Sequence, residues 1–400
     1  MNRIAATRAF VEAMGGLGNY YTKQYLGGNR DVIGVLTAEE GNLLRARSLA
    51  RDHGWWSCVI RAMQGLRQLY GHTGRDSEWS RLVDEIVPDF VESSTEGPLP
   101  GREQEWNLFT QDRVHLARKA RRLAEAERLQ KLRIDWSRHR AGPIVRKAPK
   151  EWDDAERDTV RSLATSLHEF AQIQREQGSA RCVDAYREAL SLAENIQDSS
   201  GAAICALNLG HAYLDLKGLR DLTIAEHWYG RSLELHPKQD VLGRGKCLNQ
   251  LGAVSFERFE EARQAKQPPE ECLAHLSKAA KCSRQALEMF PPDAMEDLAV
   301  VHNQLGNISA RGRQLETALH HYGESTRYKE RQGDRFGAGQ TRFNAAAALA
   351  FAGRFADARD WAQAALRDFQ ACENADQELL LTLKLLERIE SALRGTSPPS

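Results

Sequence analysis

No stretch of this 400-residue chain approaches the roughly 18 apolar residues that a membrane-crossing helix needs. The opening MNRIAATRAFVE carries two arginines and a glutamate and lacks the apolar centre of a secretory leader. Cysteine is sparse and odd in number. The seven are scattered without framework spacing, which argues against a disulfide scaffold and fits free thiols in a reducing compartment. Net charge is missing too: 55 Lys/Arg balance 55 Asp/Glu, so the overall field selects neither nucleic acid nor membrane. Alternating apolar and polar runs, the mark of half-buried strands, are almost absent. The one glycine-rich candidate for phosphate, DVLGRGKC at 240–247, lacks the first glycine and the Ser/Thr of a phosphate loop. These gaps lead to the expectation of a cytoplasmic, non-catalytic protein with no cofactor, no metal and no membrane partner.

What is present is helix. The chain is 42% hydrophobic and 28% charged, which suits a folded protein, and long windows repeat apolar residues at spacings of three and four. Glycine and proline cluster at Gly27-Gly28, Gly97-Pro98, Gly142-Pro143, Pro268-Pro269 and Pro291-Pro292, where they punctuate helices. Four hundred residues exceed one compact domain, so several domains or one elongated array are expected.

A pattern of small residues recurs. Leu209-Gly210, Leu251-Gly252, Leu305-Gly306 and Ala345-Ala346 each stand on a first helix. Each is followed on a second helix by small or aromatic residues spaced four then three: 225/229/232, 279/283/286, 318/322/325 and 358/362/365. A weaker copy precedes them at Phe170-Ala171, Gly178, Tyr186 and Ala189. Small residues at fixed places let two antiparallel helices approach closely while the large ones fill the remaining holes. The spacing resembles the tetratricopeptide repeat (TPR), and the long intervals between copies resemble the extended repeats of kinesin-light-chain type. The resemblance implies an all-α fold: a right-handed TPR-like α-solenoid of antiparallel helix hairpins over 153–372. The leucine-rich helix at 373–394, with Leu379, Leu383, Leu386, Ile389 and Leu393 as its expected apolar stripe, would cap the array's exposed end. A disordered tail is expected at 395–400.

Residues 1–140 read as a less regular helical arm. Leu66, Tyr70, Gly74, Trp79, Val83 and Ile86 thread as a repeat, and Val114, Ala117 and Ala126 fall at similar offsets. The segment LTAEEGNLLRARSLARDHGWW, through Glu39, Asn42, Leu43, Leu44, Ala46 and Ala50, resembles the helical arm of STAND-type signalling ATPases. Residues 141–152, with Pro143 and Pro149 expected to break helices, read as a linker. Between 113 and 150 stand thirteen Lys/Arg against three Asp/Glu. That tract suits an acidic partner, an intramolecular dock or a solvated face better than nucleic acid.

Other constellations have ordinary readings. Cys272, His275 and Cys282 share a stripe with Ala279 and Ala286 and read as core rather than as metal ligands. His320-His321 come with no nucleophile signature. Glu260-Glu261 and Glu270-Glu271 read as a solvated face. The sharper feature is the residue before each Leu-Gly or Ala-Ala pair: Asn208, Gln250, Gln304 and Asn344. The family resemblance places this row in the concave groove, where kinesin-light-chain-like members hold a peptide backbone. It adds Lys246, Asn249, Asn303 and Asn307 as groove residues. A carboxamide offers both a donor and an acceptor to a peptide unit, although the same amides could instead cap neighbouring helices. The function expected is binding of an extended peptide or partner protein in that groove. The alternative is a sensor or regulatory arm of a separately encoded STAND ATPase or protease, with that enzyme as partner.

Overall fold

A computed structural model gives the structure of residues 3–372 and 375–395. Among the described residues there is no strand, only one isolated bridge between Val91 and Pro98. The chain divides into two compact units, 1–143 and 144–400.

The first unit is built from α1 (Arg3–Leu26), α2 (Val32–Ala38), α3 (Glu40–Asp52), α4 (Trp56–Thr73), α5 (Asp76–Ile86), α6 (Glu103–Lys119) and α7 (Leu123–Val145). One hydrophobic core joins Leu36, Leu43, Leu66, Trp79, Phe90 and Trp106. The α1–α4 crossing is tight enough to demand glycine: a Cβ on Gly65 would stand 2.9 Å from the Cα of Gly18. Gly74, left-handed at φ 71°, ends α4. Leu43, Ala46 and Ala50 of the arm-like segment are fully buried.

Part of the basic tract is engaged inside this unit. Arg113 and Arg128 both reach Glu96, Lys119 lies 2.5 Å from Asp76, and Arg133 donates to Asn107 at 3.0 Å. Pro143 does not break its helix as expected. It sits in the last turn of α7, which runs two residues further, so the one backbone bond it removes falls at the helix's end.

The second unit holds α8 (Asp154–Glu176), α9 (Cys182–Asn195), α10 (Ser199–Asp215), α11 (Leu222–Leu235), α12 (Val241–Gln264), α13 (Pro269–Met289), α14 (Met295–Arg311), α15 (Leu315–Arg331), α16 (Arg335–Phe351), α17 (Phe355–Gln370) and α18 (Asp376–Gly395). α8 to α17 pair consecutively as five hairpins. Aspartates start most of the first helices. Asp153 forms a capping box with Glu156, and Asp198, Asp240 and Asp334 each accept from the backbone N–H three residues on at 2.8–2.9 Å. Left-handed Gly178, Gly353 and Arg313 close α8, α16 and α14.

The small-residue rows lie inside the hairpins. Ala225, Ala279, Ala318 and Ala358 are fully buried, as are Tyr229, Ser283 and Ala362 at the next position. What faces them matches in size. A Cβ on Gly210 would stand 2.5 Å from the ring of Tyr229, and one on Gly306 2.6 Å from the ring of Tyr322. Where the second helix offers only Ala362, the first carries Ala346.

Two hairpin types alternate along the last four. In α10/α11 and α14/α15, Ser232 and Ser325 donate to the carbonyls of Ala203 and Ala299 at 2.8 and 2.7 Å. In α12/α13 and α16/α17 those carbonyl positions are Gly245 and Gly339, covered by the rings of Phe290 and Phe369.

Two details depart from expectation. The α12/α13 hairpin is longer than its neighbours, and Phe259, Cys272 and Leu276 pack together in it. Within it Glu260 is held by Arg263 and Arg311 rather than standing as a solvated face. The buried stripe of α18 is Leu386, Ile389 and Thr382, while Leu383 is half exposed. Gly395 closes α18, and the rest of the expected tail, 396–400, lies outside the described residues.

Candidate functional site

The first helices of the hairpins carry all eight sequence-derived site residues. Asn208 stands on α10; Lys246, Asn249 and Gln250 on α12; Asn303, Gln304 and Asn307 on α14; Asn344 on α16. α8 lies beside α10, α12 beside α14 and α14 beside α16, while α10 and α12 approach one another less closely.

The amide row makes a directional set of contacts. The Nδ2 of Asn208 donates to its own helix at Ile204 O (3.0 Å) and lies 3.1 Å from the ring nitrogen of His168 on α8. Gln304 Nε2 donates to the backbone carbonyl of Asn249 at 3.2 Å. Asn344 Nδ2 donates to Asn303 Oδ1 at 3.2 Å. Each NH2 thus reaches back to the preceding first helix, to the residue just before that helix's own amide position. For Gln250 that residue is Leu207, and the stitch is not made at this joint.

The row therefore works partly as a brace between helices. Asn208, 8% exposed, is committed to it. In Gln304 and Asn344 the carbonyl oxygen is what remains for a ligand, and Gln250 keeps both donor and acceptor. Asn307 is likewise engaged, accepting from the Tyr322 hydroxyl at 2.8 Å. Two to three turns further along α12, ion pairs run to it from α11 and its preceding turn. Arg220 meets Glu257 at 2.9 Å and Glu261 at 3.1 Å, and Arg258 meets Glu226 at 2.6 Å.

Three hollows open along this face. A groove of about 500 Å³ runs over α12, α14 and α16, walled by Phe256, Tyr322, Ala348 and Phe351 with Asn307 and Asn344 at its edge. A second, about 340 Å³, lies between Asn303, Phe343, Asn344 and Leu381. A third, about 130 Å³, lies at the α10/α12 gap and includes Lys246, Asn249 and Gln250. Phe351 is 81% exposed, an unusual state for a phenylalanine.

Electrostatics differ along the face. His211 is held neutral, its pKa lowered to about 4, first by burial and then by Arg175. Its Nδ1 lies 3.0 Å from the Tyr229 hydroxyl. Burial raises the Asp297 carboxyl, opposed by Lys246 at 3.5 Å.

Sequence reading had not named Phe351, Phe256, Asp297 and Val300. Carrying the three-and-four spacing on from the amides reaches three of them, Phe351 seven after Asn344 and Asp297 and Val300 seven and four before Gln304. Among the described residues no three His, Cys, Asp or Glu side chains gather as a metal set, so Cys272, His275 and Cys282 are not brought together as one. No described helix is long and apolar enough to cross a membrane.

No known family model matches the chain, and no curated protein does. Solved structures do. BtubC (BKLC) from P. vanneervenii is 19% identical, with 68% of this chain and 94% of that one covered at TM-score 0.45. A Rap protein complexed with competence and sporulation factor is 12% identical, covering 97% and 100% at 0.49. A STAND protein with a tetratricopeptide repeat sensor from Pyrococcus horikoshii is 14% identical, covering 97% of this chain and 52% of that one at 0.49.

Proposed function

We propose that the chain is a non-catalytic interaction module whose first-helix face, from α10 to α16, binds an extended segment of another protein. The observation that carries this reading is the amide row beside an apolar groove. With the NH2 groups of Gln304 and Asn344 tied back, their carbonyls are fixed acceptors for a ligand's backbone N–H. Gln250 can both donate and accept.

Magnitude assigns the remaining work. Four net hydrogen bonds at about 0.5–1.5 kcal/mol each give roughly 2–6 kcal/mol, and micromolar affinity needs about 8 kcal/mol. The apolar groove supplies the difference, with Phe351 and Phe256 as the surfaces a ligand side chain covers.

The test is affinity capture with the wild-type chain beside a Gln250→Ala, Asn344→Ala, Phe351→Ala variant. Asn208 is left intact because it braces α10. Loss of captured partners supports the groove, and identical capture at equal strength removes it from the account. Steady ATP hydrolysis by the pure chain, abolished by one substitution, would overturn the non-catalytic reading.

A further inference from the structure

Asn344 stands in the wall of two hollows at once, the groove of about 500 Å³ and its neighbour of about 340 Å³. The smaller takes in Gln340 and Phe343 of α16, and the larger takes in Ala348 and Phe351. Between Gln340 and Phe351 the helix rises about 16 Å, the reach of about five residues of extended chain. One short segment is long enough to enter both.

The two hollows differ in charge. Among the described residues the larger is lined by two cations, Arg311 and Arg313, and by no carboxylate. Arg311 shares Glu260 with Arg263, so one carboxylate answers two guanidiniums. Arg313 has no ion-pair partner among the described residues. Glu316, three residues on, is taken by Arg354, which also holds Asp357. The smaller hollow is the reverse. Its one charged wall residue is Glu378, which has no ion-pair partner among the described residues, beside the neutral Asn303, Gln340 and Asn344. Arg342, next to Phe343 of that wall, is held between Asp368 and Glu330. Apolar surface accompanies both charges: Phe256 and Phe351 in the larger hollow, Phe343 and Leu381 in the smaller.

We propose that the bound segment is read for the order of its charges. A large apolar side chain with a neighbouring carboxylate enters the Arg313 groove, a lysine or arginine enters the Glu378 hollow, and Asn344 lies between them. A segment acidic at both places, or basic at both, loses at one hollow what it gains at the other. A segment with the charges exchanged sets like against like twice, which selects against it. The inference rests on the peptide-binding reading and adds which charges the peptide carries and where.

The experiment uses the full chain and fluorescence anisotropy with labelled ten-residue peptides, acetylated and amidated, of Ala/Ser background around one Phe. In one pair of peptides Glu stands beside the Phe, with Lys four residues away on its N-terminal or its C-terminal side. In a second pair Glu and Lys are exchanged at unchanged composition. Two further peptides carry Gln at both places, one with the Phe and one with Ala instead. An exposed ion pair is worth only about threefold in affinity. One peptide of the first pair should therefore bind about tenfold tighter than its exchanged counterpart, with the difference shrinking as salt rises.

Arg313 is left-handed at φ 56°, so Arg313→Gly removes its charge at a place where glycine is at ease. That variant and Glu378→Gln should each cut the difference to about threefold, and the two together should abolish it. Arg313→Glu combined with Glu378→Arg should turn the preference to the exchanged peptide. Equal binding of both charge orders by the wild type, or a difference that survives Arg313→Gly with Glu378→Gln, overturns the charge reading. In that event tighter binding of the Phe-Gln than of the Ala-Gln peptide still leaves the groove standing. Absence of binding by every peptide removes the peptide reading, and this inference with it.

Discussion

At the scale of single residues, the hairpins are governed by what stands opposite each first-helix glycine. Gly306 faces Tyr322, and Gly210 faces Tyr229, at distances no Cβ can share. Gly306→Ala should therefore destabilise the array by about 1–3 kcal/mol through overpacking, and Tyr322→Ala by about 3–5 kcal/mol through the cavity it leaves. The combination should reverse the first effect: in the Tyr322→Ala background, Gly306→Ala gains roughly 1 kcal/mol of helix propensity with nothing left to strike. The chain already contains that combination as Ala346 and Ala362. Urea unfolding of the four proteins measures the cycle, and simple additivity would show that ring and glycine do not touch.

A second residue-scale feature is acid-sensitive. His302 lies 3.0 Å from His321, ring nitrogen to ring nitrogen, and stacks on Tyr328. Burial, then His321, lowers its pKa to about 4. Glu324 opposes the shift, while His320 and Arg327 add to it. Unfolded chain binds the proton near pH 6.5 and folded chain does not. The stability is thus fully present above about pH 6.5 and is lost as the pH falls toward about 4. His302→Gln should flatten the pH dependence of the urea midpoint across that window, and an unchanged slope would remove His302 as its source.

At the scale of elements, legibility follows the steric demand on each position. The rows at 225, 279, 318 and 358 were readable because helices in close contact admit almost nothing but alanine there. The stripe of α18 was readable only approximately. Leucine is common on both of its faces, and the sequence does not show that Thr382 rather than Leu383 turns inward. The distinction is testable: Leu386→Ala should cost the last hairpin about 2–5 kcal/mol, whereas Leu383→Ala should stay within about 0.5 kcal/mol. Hydrogen exchange in α17 reports both.

The amides were found as a row, but their division of labour was not. Whether an NH2 is free depends on the residue before the amide position of another hairpin, about 40 to 55 positions away in sequence. The apolar groove escaped notice for the same reason. Phe256 and Phe351 come from different helices, and neither is conspicuous in its own.

At the scale of the whole molecule, each of the two units closes its own core, and only the second carries the braced face. Its hairpins are equal neither in type nor in attachment. The joint between α10 and α12 lacks the amide brace of the other joints and keeps Arg220 and Arg258 ion-paired two to three turns further along α12. A connection pinned at one end of a helix opens more readily at the other. The expected motion of the second unit is an opening at the unpinned end of that joint. Dyes on α8 and α16 would read it as a broad distribution of energy transfer that narrows when a ligand is bound, and a distribution already narrow without one would show this joint to be as stiff as its neighbours.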